Sequence, residues 1–167
     1  MDDEANDYPR TLRLDFPNAH KGHVSMLRAF QIPSNETNAN GRTMLASADN
    51  EGTIILWEMN TDGPKLLHIL NGHSESVSSL SLHPSDHKLL VSGSYDGSIQ
   101  VWDIESGAQT LRCELEDRDK KMRSFTDSKG GVHTYKESVS TMVLTLDGRF
   151  ISGGIGGFVR VWDSSTG

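Results

Sequence analysis

The sequence predicts an all-β fold of about three repeated, four-stranded antiparallel sheets, and three observations support this prediction. First, three segments end alike: residues 52–58 read GTIILWE, residues 97–103 read GSIQVWD and residues 157–163 read GFVRVWD. Second, the tryptophans of these endings lie 45 and 60 residues apart, which corresponds to one four-stranded unit and then one unit plus an insertion. Third, 16 glycines and several Asp and Asn residues break the chain into short β-rich runs, and no helical periodicity competes with them.

Each repeat contains the same strands in the same order. The second strand precedes each tryptophan-bearing strand, at residues 45–47, 90–92 and 150–152. A fourth strand is visible at residues 66–70 and 111–115, so we expect two whole units and a third that lacks its outer strand. The first strand of each unit carries apolar residues in one pattern: Val24, Leu27 and Ala29; Val77, Leu80 and Leu82; Val139, Met142 and Leu144.

The central repeat carries the fullest set of polar and turn residues: Gly72-His73, Ser92-Gly93-Ser94, Asp96-Gly97 and Trp102-Asp103. With three such copies in phase, the chain resembles the WD-repeat (WD40-type) family of β-propellers over nearly its whole length. The resemblance implies a β-propeller segment of about three blades, an incomplete ring, whose blade tryptophans are Trp57, Trp102 and Trp162. It also implies a structural hydrogen-bonded set of His73, Ser92, Asp96 and Trp102, because a buried indole N–H and a buried imidazole need partners.

The flanking repeats depart from this pattern. The first keeps His20, Ser47 and Trp57 but places Glu51 where the turn Asp is expected, so we predict that the hydrogen bond is lost there. The third keeps Ser152 and Trp162 but has Tyr135 for the His and Gly156 for the Asp. We therefore expect the third blade to rely on packing alone and to be the loosest.

The predicted domain organisation is an acidic tail over 1–9 and a propeller segment over 10–167, with repeats at about 19–70, 72–115 and 134–167. By the resemblance, residues 10–14 form an outer strand for the last blade. Three blades are fewer than the roughly four to eight that close a ring. The sequence leaves open three ways to cover the exposed blade faces: missing blades of a longer propeller, a partner chain or second copy, or a stand-alone open array.

Two segments interrupt the repeats. Residues 34–40 are polar and predict a solvated bulge. The insertion 116–133 has alternating charge, and two interpretations remain open for it: a disordered solvated loop, or a segment that docks a partner. In the second interpretation, the contacting residues are Lys120, Lys121, Met122, Arg123 and Phe125, with Met122 and Phe125 as apolar anchors.

Composition limits the classes of partner. With 23 acidic residues against 16 Lys plus Arg, the formal net charge is −7, which disfavours nucleic acid as the main partner. Cys113 is the only cysteine, so no internal disulfide is expected, as in a reducing compartment. The acidic start lacks the features of a secretory leader, and no apolar run approaches the roughly 18 residues of a membrane span. We expect an intracellular protein, cytoplasmic and/or nuclear, with no membrane partner.

No motif for catalysis, a metal or a cofactor emerges. The pairs His20 and His23, and His83 and His87, lack the converging third and fourth ligands of a zinc site. The glycine-rich run 153–157 joins two strands and opens no helix, so it does not present a phosphate-binding helix terminus. We predict a non-catalytic scaffold or adaptor that binds other proteins within a larger assembly. The alternatives are an accessory propeller region of a larger enzyme and a ribonucleoprotein-associated binding module.

Overall fold

The computed structural model describes residues 16, 19–34, 41–115 and 122–163, and for Arg123 and Phe125 it describes the backbone only. All regular structure in this part of the chain is β-strand. The predicted tail over 1–9, the predicted strand over 10–14, most of the 34–40 bulge, and Lys120 and Lys121 lie outside the described residues.

The first two blades are complete four-stranded antiparallel sheets, each in sequential strand order. The strands of the first blade are β1 (Val24–Ile32), β2 (Arg42–Asp49), β3 (Thr53–Asn60) and β4 (Gly63–Asn71). Those of the second blade are β5 (Val77–Leu82), β6 (Leu89–Ser94), β7 (Ser98–Asp103) and β8 (Gln109–Glu114). In both blades the pairing of the first strand with the second shifts in register near the start of the first strand. The shift lies between Val24 and Met26 in β1 and between Val77 and Ser79 in β5.

The remaining strands form a three-stranded sheet and a separate hairpin. The hairpin consists of β9 (Arg123–Thr126) and β10 (Val132–Tyr135), and the third blade consists of β11 (Thr141–Leu144), β12 (Phe150–Gly153) and β13 (Val159–Trp162). The third blade thus has no fourth strand within the described residues, as the sequence predicts. The interpretation of the insertion 116–133 as a disordered loop is wrong for its residues 123–126, 132 and 133, because they belong to strands that pair in a regular antiparallel register.

Glycine fixes the turn between the second and third strands of every blade. Gly52, Gly97 and Gly157 occupy the same place in the three turns, with φ of +90°, +85° and +75°. This left-handed backbone conformation is strained for residues with a Cβ, so the glycine before each third strand is required by the turn geometry.

The blades pack face to face through two apolar layers. Between the first and second blades, Ala46 and Leu56 meet Leu80, Leu90 and Trp102. Between the second and third blades, a second layer contains Val91, Val101, Met142 and Phe150. The first strands β1, β5 and β11 lie next to one another, so each blade places its first strand on the same side of the array. The structure confirms the predicted fold class, an all-β propeller segment whose ring is incomplete.

Candidate functional site

A chain of buried hydrogen bonds crosses the second blade. His73 precedes β5, Ser92 lies in β6, Asp96 lies in the turn after β6, and Trp102 lies in β7. The indole Nε1 of Trp102 donates to Ser92 Oγ at 2.9 Å, and Ser92 Oγ lies 2.7 Å from His73 Nε2. His73 Nδ1 in turn lies 3.0 Å from Asp96 Oδ2. In the tautomer with a proton on Nδ1, the ring accepts from Ser92 at Nε2 and donates to Asp96 at Nδ1.

The carboxylate of Asp96 is the negative end of this chain of bonds. Its side chain is only 2% exposed, and burial by itself would raise its pKa. Hydrogen bonds from the His73 ring and from the Ser98 hydroxyl and backbone N–H outweigh burial, and they hold the pKa of Asp96 well below its usual value. The group is therefore a stable carboxylate, suited to holding the turn and the His73 ring in place.

Ser94, the other serine of β6, has a different position from Ser92. Its hydroxyl donates to the backbone oxygen of Glu75 at 3.0 Å and accepts from the backbone N–H of Asp96 at 3.1 Å. Ser94 thus joins the turn that carries Asp96 to the segment after His73, while Ser92 holds the imidazole and the indole.

The first blade has an equivalent chain of hydrogen bonds. The expectation that the histidine of this blade loses its carboxylate partner, because Glu51 replaces the turn Asp, is therefore wrong. His20 Nδ1 lies 2.9 Å from Asp49 Oδ2, and His20 Nε2 lies 2.7 Å from Ser47 Oγ. Trp57 Nε1 donates to Ser47 Oγ at 2.9 Å. The carboxylate comes from Asp49, at the end of β2, whereas Glu51 is exposed and contributes only its backbone N–H to Asp49. The sequence clue to this arrangement was Asp49 itself, an acidic residue two positions before Glu51.

The third blade replaces the missing His and Asp with a buried ion pair. Trp162 Nε1 donates to Ser152 Oγ at 2.8 Å, as in the other blades. Glu137 is fully buried, its Oε1 accepts from the backbone N–H of Gly156 at 3.1 Å, and Arg160 Nη1 lies 3.5 Å away. A Cβ at Gly156 would overlap this carboxylate. The expectation that this blade relies on packing alone is therefore wrong, because Glu137 fills the space that Gly156 leaves.

The hairpin of β9 and β10 carries the predicted partner-binding residues that the structure describes. Met122, just before β9, is 63% exposed, and Val132 in β10 is 70% exposed. Arg123 and Phe125 lie in β9, but their side chains are outside the description. The turn is organised by Asp127, whose carboxylate accepts from the backbone N–H groups of residues 129 and 131.

The same carboxylate links the turn to the second strand of the hairpin. Asp127 Oδ2 lies 2.7 Å from His133 Nε2. The hydrogen bond with His133 comes first among the causes that lower the pKa of Asp127, followed by the two backbone N–H groups. These bonds pre-form the turn and so hold the exposed strands in a defined shape.

The histidine pair His83 and His87 and the glycine-rich run of the sequence lie at connections between strands. His83 Nδ1 accepts from the backbone N–H of Asp86 at 3.1 Å between β5 and β6, while His87 in the same turn is exposed. The glycine-rich run 153–157 connects β12 to β13. Across the described ranges, no three His, Cys, Asp or Glu side chains converge as a metal site would require. No helix in the described part of the chain is long and apolar enough to cross a bilayer.

Comparison with known proteins identifies repeats at two places in the chain. A family model described as "WD domain, G-beta repeat" matches residues 64–103 and 129–163. A guanine nucleotide-binding protein subunit beta from Zea mays is 28% identical over 153 residues, covering 89% of this chain and 33% of the relative. Coronin-7 from Bos taurus is 36% identical over 75 residues, covering 42% of this chain and 8% of the relative.

A third relative and a solved structure are similar over most of the chain. The ribosome biogenesis protein WDR12 homolog of Nematostella vectensis is 26% identical over 156 residues, covering 88% of this chain and 37% of the relative. The computationally designed Ika8 protein superposes with a TM-score of 0.55 at 24% identity, covering 86% of this chain and 34% of that one, which is a likeness of fold alone. The chain spans about a third or less of the length of these relatives.

Proposed function

Because this chain belongs to the WD40-repeat family, we propose that it is a non-catalytic scaffold or adaptor that mediates protein–protein interactions within a larger assembly. Proteins of this family generally mediate protein interactions, and a rigid array of blades suits that role because it presents turns and insertions in fixed positions. Fold alone does not specify function, so the proposal rests on the surface of this particular chain.

The observation that carries the proposal is the hairpin of β9 and β10. It forms its own two-stranded sheet, apart from the three blade sheets of the described chain, and it exposes Met122 and Val132. An isolated hairpin is marginally stable, and exposed apolar side chains gain roughly 25 cal/mol per Å² when a partner covers them. A partner that covers the hairpin would therefore bury apolar surface and stabilise its two strands.

The chemistry of the partner follows from the charge of the insertion. Lys120, Lys121 and Arg123 form a basic run in a chain whose formal net charge is −7. A partner segment that combines acidic and apolar side chains would complement both the basic run and the apolar surface of Met122 and Val132. We propose these residues, with Phe125, as the partner-binding surface.

Affinity purification with quantitative mass spectrometry tests this surface. The double variant Met122→Glu, Val132→Glu should lose specific partners that the wild-type chain retains, because it places two charges on the apolar surface. The matched control is Leu146→Glu, since Leu146 is 89% exposed and lies in the turn between β11 and β12, outside the hairpin. Retention of every partner by the double variant, or an equal loss in the control, would contradict the proposed surface.

A ribonucleoprotein-associated module is the second candidate, and two observations favour it. One relative is named as a ribosome biogenesis protein, and the insertion contains the basic run described above. An RNA mobility shift that weakens steeply with salt, and that Lys120→Ala with Lys121→Ala abolishes, would support this candidate over the protein adaptor. The overall acidity of the chain predicts that no such shift occurs.

We also propose that the protein works inside the cell, in the cytoplasm and/or the nucleus. Cys113 is a free, buried thiol, and burial raises its pKa, so it remains a protonated core residue. A chain whose only cysteine serves as an apolar core residue suits a reducing compartment. Fluorescence microscopy of the tagged chain tests this placement, and accumulation in the secretory pathway would contradict it.

A further inference from the structure

The hairpin of β9 and β10 has two edges that no third strand covers in the described part of the chain. Its two strands pair only with each other there, whereas every blade strand belongs to a larger sheet. The unpaired edge of a sheet presents backbone N–H and C=O groups that can pair with a further strand. The hairpin can therefore accept a third strand beside β9 or beside β10.

The register of the hairpin identifies the backbone groups that point out from the edge of β10. The backbone N–H of Asp127 donates to the backbone oxygen of Gly131 at 2.9 Å and closes the hairpin. Along an antiparallel ladder, residue pairs that exchange hydrogen bonds alternate with pairs that do not. His133 is therefore hydrogen-bonded to β9, whereas the N–H and C=O groups of Val132 and Thr134 point away from β9.

The strand β10 lacks the features that protect the outer strands of the two complete blades. Natural edge strands are protected by Pro, by charged side chains or by an irregular register. The outer strand β4 contains Pro64 and Lys65, β8 contains Arg112 and Glu114, and each pairs with a register shift. The sequence of β10 is VHTY, which contains no Pro, Lys, Arg, Asp or Glu, and its register is regular. Because Val, Thr and Tyr favour strands, β10 is suited to pair with a further strand.

Contacts at both ends of β10 hold this edge in a defined shape. Before the strand, the Asp127 carboxylate accepts from two backbone N–H groups of the turn and lies 2.7 Å from the His133 ring. After the strand, Lys136 Nζ lies 3.4 Å from the carboxylate of Glu75, in the segment before β5. A pre-formed edge loses less conformational entropy when a partner pairs with it, so the contacts favour binding.

We propose that β10 binds an extended, acidic segment of another protein by strand addition, so that the hairpin becomes a three-stranded sheet. The outward backbone groups of Val132 and Thr134 pair with the N–H and C=O groups of that segment. Every second side chain of the segment then lies on the face that carries the exposed Val132 side chain. This inference rests on the adaptor function proposed above and specifies how the hairpin holds its partner.

The charge of the hairpin selects an acidic partner segment over a second copy of β10. Residues 122–136 contain three basic residues, Arg123, Lys129 and Lys136, and one acidic residue, Asp127, whereas the whole chain has 23 acidic residues and 16 Lys plus Arg. The Asp127 carboxylate is already bonded within the hairpin. Two copies paired through β10 would bring like charges together, while Asp or Glu in a partner segment would be attracted to the exposed Lys129.

Amide hydrogen exchange, measured by NMR on the isotope-labelled chain, tests the proposed edge directly. The probe is a peptide of alternating Glu and Val, about six residues long, the usual length of a strand. At saturation, exchange at Val132 and Thr134 should slow at least tenfold, because their N–H groups become hydrogen-bonded. Exchange at Ser124 and Thr126, which point out from the β9 edge, should be unchanged. No slowing at the β10 edge, or slowing without peptide that grows with protein concentration, would overturn the proposal.

Two substitutions at one position distinguish backbone pairing from side-chain docking. Thr134→Pro removes an outward N–H at a sheet edge, where Pro is tolerated, and its matched control Thr134→Val keeps that N–H. By fluorescence anisotropy of the labelled peptide, Thr134→Pro should bind about tenfold more weakly, because an acceptor of the peptide loses its donor, and Thr134→Val less than about twofold more weakly.

The same assay separates this inference from the adaptor proposal. Equal affinity of Thr134→Pro and Thr134→Val, or equal binding of a Lys–Val peptide of the same length, would overturn acidic strand addition. Partners that are lost by the double variant Met122→Glu, Val132→Glu but retained by Thr134→Pro would contradict strand addition alone, and the proposed adaptor surface would stand.

Discussion

Replacing His73 with alanine removes the central member of the hydrogen-bonded chain in the second blade. Asp96 loses the donor at 3.0 Å, and Ser92 loses the ring nitrogen at 2.7 Å. The ring also packs edge-on against Trp102, with 6.4 Å between centroids. The change therefore affects a carboxylate, a hydroxyl and an indole, all inside the blade.

The expected cost follows from the individual contacts. Asp96 keeps the hydrogen bonds from Ser98, so the loss at the carboxylate is about 2 kcal/mol, the usual value for a hydrogen bond to a charged group. The neutral hydrogen bond to Ser92 adds about 1 kcal/mol, and the aromatic contact adds a further 1 kcal/mol or so. We expect the free energy of unfolding to fall by about 4 kcal/mol, a large fraction of the roughly 5–15 kcal/mol of a typical domain.

Urea denaturation followed by tryptophan fluorescence measures this change. With an m-value of about 2 kcal/mol/M, the midpoint should fall by about 2 M. His87→Ala is the matched control, because His87 is exposed in a turn and its removal should change stability by less than about 0.5 kcal/mol. All variants are compared at the same protein concentration and buffer composition. A His73→Ala midpoint equal to that of the control would refute the assigned role of the hydrogen-bonded chain.

Three further predictions concern the carboxylates of the three blades. Asp49→Ala should lower the unfolding free energy by about 2–4 kcal/mol and Glu51→Ala by less than about 0.5 kcal/mol in the same urea assay. The reverse order would contradict the assignment of Asp49 as the partner of His20. Gly156→Ala should destabilise by about 2 kcal/mol through overlap with Glu137, and a double-mutant cycle with Glu137→Ala should show that the shorter side chain relieves most of the cost. The lowered pKa of Asp96 stabilises the folded state above its unfolded pKa of about 3.8, and this contribution is lost as the pH falls further. The melting temperature should therefore fall less steeply between pH 6 and pH 3 for Asp96→Asn than for the wild type. Parallel plots of melting temperature against pH would contradict this reasoning.

The repeat pattern alone was sufficient to predict the blades, because strand identity depends on local features. Alternating apolar residues, glycines at left-handed turns and a tryptophan ten residues after a serine are all legible along the chain. The Trp-to-Ser hydrogen bond is accordingly present in all three blades, at 2.9, 2.9 and 2.8 Å. The β9–β10 hairpin was missed because its two strands are only four residues long and carry no strong periodicity.

The identity of the buried carboxylate in each blade was decided by tertiary structure. The sequence places Glu51 and Gly156 at the turn position of their blades. Which carboxylate contacts the His20 ring, or fills the space beside Gly156, depends instead on which one the fold brings close. Asp49 reaches from a strand end and Glu137 reaches from the segment before β11, and neither lies at the turn position of the repeat. Position in a repeat specifies the backbone, whereas the polar partner of a buried group is whichever side chain folding brings within hydrogen-bonding distance.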